Sequence, residues 1–364
     1  MTQLTKHVLS PLAFGLLTLG AAAGALAQTS SVTVFGVADA AVRRVNNEGK
    51  GGLTSLVSGS NATSRFGFRG VEDLGGGLWA GFHLESGELL DTGMPASSQL
   101  FFDRRSTVSI GNKAWGELRI GRDFVPSYNN WSRFDPFAYV GVAGSNNLVS
   151  ATPAGPIKSA FGSALNTTVR SSNSVQWLLP ASWGGLDGEL MWAAREGGLA
   201  ANGQHGVKGL RIGYRNKDLA VALATTRTEN DLTSSGTFKD SGVGAQYNFG
   251  PVRTSVAWRR FSQNAARQTN LLLGAWVPLG AGELKLSMQR VDLSGKVGTA
   301  AIDANDARQL GLGYVHNLSK RSALYGTVSR ISNRGAATFA VPGGPAVVAG
   351  KSSSGLDLGV RHNF

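Results

Sequence analysis

Cysteine is absent from this sequence of 364 residues, and only five residues are histidine. A chain without thiols can form neither disulfide bridges nor thiolate metal sites. Histidines and carboxylates also do not recur together at the spacing of metal ligands, so no metal ion or other cofactor is expected. Charged residues are sparse as well, at 16% of the chain. Disulfide-stabilised and metal-dependent folds are therefore not predicted.

Long apolar runs and amphipathic helical patterns are missing from most of the chain. After residue 27 there is no run of eighteen consecutive apolar residues, and a transmembrane helix needs a run of about that length. No stretch with the 3.6-residue period of an amphipathic helix reaches a convincing length. The main body of the chain is therefore predicted to be neither a helical bundle nor a helical membrane protein.

The exception is the N-terminal apolar run from Val8 to Leu26. A lysine precedes this run, glycines interrupt it, and it ends at the small-x-small site Ala25-Leu26-Ala27. The pattern is typical of a secretory signal peptide rather than of a membrane anchor. We expect residues 1–27 to be cleaved, which removes one lysine and lowers the formal charge from +12 to +11. Residues 28–364 would then form one mature domain.

Glycine, in contrast, is abundant, and short glycine-punctuated runs of alternating apolar and polar residues fill the mature chain. In the first run, Ser31–Val45, Val32 and Val34 fall on one face and Asp39 and Arg43 on the other. Successive side chains of a strand point to opposite sides, so one face can meet lipid while the other meets water. An exported chain of this kind, with a mean hydropathy of -0.05, fits a transmembrane β-barrel.

Sixteen such runs can be counted between residues 31–45 and 355–364. Short turns alternate strictly with long connections along the chain, which is typical of a barrel with periplasmic turns and extracellular loops. The long connections are 46–60, 86–99, 122–166, 196–206, 227–240, 261–269, 292–307 and 331–354. The fold class predicted is therefore all-β, a transmembrane 16-stranded antiparallel β-barrel. The alternative of a soluble sandwich or propeller would not need this alternation.

The connection at 122–166 breaks the alternation for longest and contains four prolines. Structureless loops of this length are uncommon in compact domains and are usually functional. A sixteen-stranded barrel is wide enough to leave an aqueous channel. We therefore expect this third loop to fold into the lumen and to narrow it.

Several motifs carry a resemblance to a known family. They are SVTVFGVADA at 31–40, SRFGFRGVEDLGGGL at 64–78, LRIGR at 118–122 and LDLGVRHNF at 356–364. Together they resemble the general diffusion porins of Gram-negative bacteria, in particular the β-proteobacterial and neisserial type. The resemblance spans the mature chain and implies a homotrimer in the outer-membrane lipid, with an inserted third loop. It also implies passive diffusion of small hydrophilic solutes and inorganic ions.

The C-terminal residue Phe364 resembles the aromatic signal that such barrels present to the barrel-assembly machinery. It can equally belong to the aromatic girdle at the membrane interface, and the two interpretations are compatible.

Strand parity directs eleven arginines but only eight acids toward the lumen. Rings of arginine or lysine in a pore favour anions, so an anion preference is predicted. The third loop carries few acids, which weakens the case for cation preference. These charges could instead only solvate the lumen or pair across strands. The candidate constriction residues are Arg65, Arg69, Arg105 and Arg119 on the wall, Arg122 at the root of the loop, and Asp123 and Asp135 as opposing acids.

Other functions are weaker alternatives. His83 shares a face with Glu85 near Asp39, but a charged lumen wall explains this arrangement better than a catalytic triad, so no enzyme activity is expected. The arginines are dispersed over the strands, which argues against nucleic-acid binding. A solute-specific anion channel is the nearer alternative. An adhesin or recognition barrel, with partners bound by the long loops, is the more distant one.

Overall fold

The computed structural model describes residues 30–149, 154–162, 168–195, 205–229 and 236–364. The expected signal peptide at 1–27 lies outside this part of the chain. No helix within it is both long and apolar enough to cross a membrane.

Sixteen antiparallel strands close into a β-barrel, as predicted. In chain order they are β1 Ser30–Asn47, β2 Arg65–Gly75, β3 Leu78–Leu89, β4 Arg105–Asn112, β5 Gly116–Phe124, β6 Arg170–Leu178, β7 Leu186–Ala193, β8 Gly206–Arg215, β9 Leu219–Glu229, β10 Thr237–Asn248, β11 Arg253–Gln263, β12 Ala266–Leu279, β13 Gly282–Ser294, β14 Ala307–Asn317, β15 Ser322–Asn333 and β16 Ser353–Asn363. The first and last strands pair along one edge, with Asp39 opposite Arg361, and this pairing closes the barrel.

The other edge of β1 is shared by two partners. Residues Ser30–Val37 pair with β2, whereas Ala40–Asn47 pair with an additional strand, Gly51–Ser58. The sequence interpretation assigned 46–60 to a long loop without a strand. Because β2 begins only at Arg65, it cannot pair with Ala40–Asn47 of β1. The additional strand supplies hydrogen-bond partners for the backbone groups of this part of β1, which would otherwise be unpaired. Further short strands occur at Met94–Pro95, Lys296–Val297 and Ala300–Ala301.

The predicted alternation of faces is confirmed along the strands. On the outside of β1, Val32 is 70% exposed, whereas Asp39 and Arg43 on the inside are buried. The apolar side chains point outward and the polar ones inward, which is the reverse of the arrangement in a water-soluble barrel and suits an outer face that contacts lipid. The short turns gather at one end of the barrel and the long connections at the other.

The described parts of the connection between β5 and β6, residues 125–149, 154–162 and 168–169, lie inside the barrel, as predicted. Its elements are the α-helix α1 Pro126–Ser132, the 3₁₀-helix Ser145–Leu148 and the α-helix α2 Pro156–Phe161. Both α-helices begin with proline, whose fixed φ and missing N–H suit the first helical position. We call residues 125–169 the inserted loop. Its residues Trp131, Phe134 and Phe161 pack against Phe238 and Phe261 of the barrel wall.

Candidate functional site

Polar side chains on the inner face of β11–β16 hold the middle of the inserted loop. The Oγ of Ser255 donates to the carbonyl of Phe134 at 2.7 Å, and the Nε2 of Gln309 donates to the carbonyl of Ala143 at 2.8 Å. At the barrel seam, a carboxylate oxygen of Asp357 accepts the Val142 N–H at 3.3 Å. A loop without a sheet needs such side-chain partners for its buried backbone groups.

Glycines on β8–β16 make room for the inserted loop. A Cβ added at Gly244 would lie 2.2 Å from the Phe134 ring, and one at Gly311 would lie 2.6 Å from the Cβ of Ala143. A Cβ added at Gly209, Gly274 or Gly355 would lie 2.7–2.8 Å from Pro126, Pro136 or Val142, respectively. These contacts lie on alternate strands, so wall glycines form a track for the loop.

The Asp240–Arg259 ion pair anchors α1 to the wall. Both residues are almost fully buried, at 2% and 1% exposure, and the Arg259 Nη2 lies 2.6 Å from Oδ2 of Asp240. The Oγ of Ser127, in the first turn of α1, donates to the same oxygen at 2.7 Å. Further along the helix, Asn129 donates to the Glu189 carboxylate at 2.9 Å. Through these contacts α1 packs against β7–β10.

The candidate acid Asp135 lies within the fold of the inserted loop. Its carboxylate accepts the backbone N–H groups of Phe137, Tyr139 and Ser145 at 2.9–3.0 Å, and also the Ser145 hydroxyl at 2.6 Å. Burial raises the pKa of the neighbouring Tyr139 to about 12. Asp135 therefore shapes the loop, and its charge is directed to donors within the loop itself.

The side of the lumen opposite the inserted loop is lined by an arginine-rich wall on β2–β6. The Nη1 of Arg119 lies 2.7 Å from Oδ2 of Asp123, and the Nε of Arg105 lies 3.3 Å from the same oxygen. A second carboxylate, Glu117, pairs with Arg119 at 3.0 Å. The structure thus brings together Arg105, Arg119 and Asp123 from the predicted set.

Glu85 gathers the remaining charges of this wall. The Nε of Arg65 lies 3.6 Å and the Nε of Arg104 lies 2.5 Å from its Oε1, while the Nε2 of His83 lies 3.3 Å from Oε2. Arg104 was missed by the sequence interpretation because the strand was expected to begin at Phe101. In the structure β4 begins only at Arg105, so strand parity does not apply to Arg104.

Two candidates lie apart from these clusters. Arg69 is exposed, and its guanidinium lies 5.2 Å from the centre of the Phe35 ring. A register shift between Gly121 and Asp123 disturbs the pairing of β5 with β6. The second candidate, Arg122, lies at this register shift, where it donates to the carbonyl of Asp103 at 2.7 Å and to the Ser172 hydroxyl at 2.9 Å.

The arginine wall carries an excess of positive charge. Its guanidiniums are those of Arg65, Arg104, Arg105, Arg119 and Arg170, and its carboxylates are those of Glu85, Glu117 and Asp123. Adding Arg122 and Asp103 leaves the excess at two. The Tyr128 ring of α1 stacks on the Phe124 ring of β5 at 4.9 Å, and the Arg170 guanidinium lies 4.5 Å from the same Phe124 ring. Burial raises the pKa of the Tyr128 phenol, and the guanidiniums of Arg170 and Arg104 oppose this rise. An uncharged phenol of the inserted loop therefore faces the arginine wall.

The inserted loop adds one more cation to the lumen. The Nη1 of Arg133, at the end of α1, lies 2.7 Å from the Asp187 carboxylate on β7. Arg211 and Arg215 approach the same carboxylate at 2.5 and 3.6 Å. Three guanidiniums therefore share a single acid that is one-third exposed.

Comparison with known proteins decides the family. A family model described as Gram-negative porin matches residues 15–336. The chain belongs to the Gram-negative porins. This porin is an outer-membrane protein that forms a water-filled channel for passive diffusion of small hydrophilic solutes.

Individual relatives agree with this assignment. Outer membrane porin protein 32 of Delftia acidovorans is 35% identical over 366 positions, which cover 94% of this porin and 97% of that protein. The solved structure described as an anion-selective porin from Comamonas acidovorans has a TM-score of 0.78 at 33% identity, covering 92% of this porin and 100% of that chain. The trimer form of OmpT from Vibrio cholerae shares the fold, with a TM-score of 0.61 at 13% identity over 92% of this porin and 99% of that chain.

The C-terminal residue of this porin lies at the closing seam on the short-turn end. The backbone N–H and C=O of Phe364 bond to Gly36 at 3.1 and 3.0 Å. A Cβ added at Gly36 would lie 2.2 Å from the Phe364 ring, so only glycine leaves room for it. The ring itself is 51% exposed on the barrel surface.

Proposed function

We propose that this porin prefers small anions and that Arg65, Arg105 and Arg119, together with Arg104, set the preference. The observation that carries the proposal is the excess of two positive charges on the arginine wall. The inserted loop opposite this wall does not offset the excess with Asp135, because that carboxylate is hydrogen-bonded to donors of the loop itself. Charge rings in a narrow lumen with low-dielectric walls concentrate counter-ions. The name of the Comamonas structure, an anion-selective porin, supports the same reading.

The magnitude follows from Coulomb's law. A chloride ion 4 Å from an exposed guanidinium is stabilised by about 1 kcal/mol at the dielectric constant of water. That free energy corresponds to a concentration ratio of about fivefold. Because Asp123 and Glu117 compensate part of the field, the loss of one wall arginine should lower the anion-to-cation permeability ratio by about two- to fivefold.

The test is the reversal potential across a planar bilayer under a KCl gradient at low ionic strength. The native porin is expected to show ohmic steps with anion preference, and R105Q and R119Q should each move the reversal potential toward that of a cation channel. The matched control is K217Q, which removes one charge from a short turn outside the lumen. Cation preference in the native porin, or equal shifts in all three variants, would contradict the proposal. A conductance that saturates with one anion would favour a solute-specific channel instead.

We infer further that the porin is a homotrimer that uses the outer face of β2–β5 as its contact. Beside this face lies Phe101 of the connection between β3 and β4. Its side chain is 67% exposed, and its ring lies 4.8 Å from that of Phe102 and 6.5 Å from that of Phe66 on β2. Because Phe101 lies outside the strands, its exposure is not part of their lipid-facing alternation, and an exposed aromatic cluster of this kind is a candidate contact surface. The trimer form of the Vibrio porin supports the stoichiometry. Native mass spectrometry of F101E is expected to show monomers, and an intact trimer would contradict the contact.

The remaining inferences concern processing and chemistry. We infer that residues 1–27 are removed on export, and the intact mass of the outer-membrane protein tests this directly. Folding into the outer membrane is proposed to depend on the barrel-assembly machinery through Phe364. We propose no catalytic role for His83, because its partner Glu85 also binds two guanidiniums and serves as their counter-charge.

A further inference from the structure

The outer face of the barrel carries a belt of exposed cationic side chains at the end where the long connections lie. The belt consists of Lys208, Arg227, Lys239, Arg260, Arg267, Arg290, Arg308 and Arg330, on β8–β15. On the same face and nearer the short turns, exposed apolar residues follow, such as Leu210 beside Lys208 and Leu310 beside Arg308. The belt therefore marks the border between the apolar band and water on the extracellular side.

The belt does not extend over β2–β5. The outer face of β2–β5, which is described throughout, has no exposed lysine or arginine at the corresponding height. It presents Val108 and Ile120 instead, next to Phe101 of the connection between β3 and β4, with exposures of 50% or more. The cations are therefore a feature of the surface away from the proposed protomer contact.

Several members of the belt face like charges directly. Arg227 lies opposite Lys208 on one neighbouring strand and opposite Lys239 on the other. Arg290 lies opposite Arg308 in the same way. Like charges at directly opposed positions of a sheet destabilise it. An anionic group bound between them would turn this repulsion into attraction.

The Arg290–Arg308 pair borders a cleft of about 280 Å³ that is also lined by Arg334, Asp306 and Leu310. Three guanidiniums therefore face one carboxylate. Asp292 adds a partial counter-charge 3.6 Å from Arg290, and both members of that pair stay more than 45% exposed. Net positive charge remains for a ligand.

An apolar groove of about 660 Å³ runs on from this cleft toward the short turns. Leu273, Met288, Leu310 and Val328, on four consecutive strands, line the groove, and Arg330 lies at its upper rim. Leu310 lines both the cleft and the groove, so a cationic site is continuous with an apolar one.

We propose that the outer face of β12–β15 binds one phosphorylated lipid of the extracellular leaflet. Its phosphate occupies the cleft between Arg290, Arg308 and Arg334, and an acyl chain lies along the groove beneath Leu310. A phosphate monoester carries a charge of about -1.5 to -2 at pH 7, which matches three guanidiniums against Asp306. The site is distinct from the channel and does not depend on its ion preference.

The experiment is native mass spectrometry of the folded, full-length mature porin in detergent. The probes are a diphosphorylated lipid A, phosphatidylcholine, which has no net charge, and inorganic phosphate. The test variant is R290Q/R308Q, and the matched control is K217Q/K320Q, which removes two exposed charges from the short turns. Single-channel conductance serves as the check of folding, because none of the four residues faces the lumen.

The native porin and the control are expected to retain one lipid A, and phosphatidylcholine should bind at least tenfold more weakly. The double variant should lose lipid A affinity by about thirtyfold, since each basic residue near an anionic surface contributes a factor of about five. Equal retention of phosphatidylcholine, or displacement of lipid A by millimolar inorganic phosphate, would overturn the lipid site. An unchanged lipid A affinity of R290Q/R308Q would also overturn the site. If the oligomer of R290Q/R308Q dissociates while its lipid retention stays the same, this face is a protein contact and the proposal is likewise wrong.

Discussion

The variant D240A tests whether the buried ion pair holds the inserted loop in the lumen. The substitution removes both hydrogen bonds of Arg259 to the Asp240 carboxylate, at 2.8 and 2.6 Å, and the bond from Ser127 at 2.7 Å. Arg259 is 1% exposed and would stay in an apolar site beside Trp131 and Phe261. Leaving one partner of a buried pair uncompensated costs about 3–5 kcal/mol.

This cost is expected to act on the inserted loop rather than on the whole barrel. The barrel is a closed backbone ladder of sixteen strands, whereas α1 is held by side-chain contacts alone. A loss of about 3–5 kcal/mol lowers the preference for the docked position by a factor of about a hundred to several thousand. We expect a folded barrel with larger open-channel noise and a shifted single-channel conductance in 1 M KCl.

Two further variants make the test specific. In D240A/R259M both charges are absent, and replacing a buried pair by apolar groups is often close to neutral, so conductance and noise should return toward the native values. S127A removes only one hydrogen bond to a charged group, worth about 1.5–3 kcal/mol, and should have a smaller effect. Native conductance and noise in D240A, with the barrel shown to be folded by circular dichroism, would refute the reasoning.

Other features of the porin lead to three further predictions. G244A places a methyl group against the ring of Phe134, so the loop should be displaced and the conductance changed, whereas an unaltered conductance would show that the ring can move aside. Anion preference should fade between 0.1 and 1 M KCl, because the Debye length falls from about 10 to 3 Å; a ratio independent of salt would point to steric selection. G36A should lower the yield of heat-modifiable folded porin by displacing Phe364, and a normal yield would count against a tight seam.

A pH titration adds a prediction for the inserted loop. Burial raises the pKa of Tyr139 to about 12, so the neutral phenol is favoured in the docked loop. Its contribution is present below the ordinary tyrosine pKa of about 10 and is lost as pH rises through about 12. Open-channel noise should therefore stay constant from pH 7 to 10 and rise near pH 12, and a rise already at pH 9 would contradict this assignment.

Sequence periodicity was sufficient for the strands because each has one lipid face and one water face. The alternation of Val32 and Val34 with Thr33 and Asp39 has the two-residue period of a strand and not the 3.6-residue period of a helix. Local turn residues fixed the short connections in the same way. The strand Gly51–Ser58 was not predicted because it pairs with the part of β1 that β2 leaves unpaired. The need for this pairing depends on where β2 begins and not on the residues of Gly51–Ser58.

The candidate site was only partly predictable. Parity placed Arg65, Arg105 and Arg119 on the inner face, and the structure brings them to Glu85 and Asp123. Parity carries no information outside strands, so it missed Arg104.

Within the inserted loop, sequence alone did not show that Asp135 would be enclosed by backbone N–H groups.

The sequence by itself therefore determined that this porin is a barrel of sixteen strands, with its apolar face outward and a long third loop, because each feature depends on local periodicity. Only the tertiary structure decided which wall residues hold that loop and which charges meet. The loop is fixed by glycines and polar side chains from strands up to 215 residues away in the chain, such as Asp357 beside Val142. Contacts over such distances depend on the closure and register of the barrel, which no local pattern specifies.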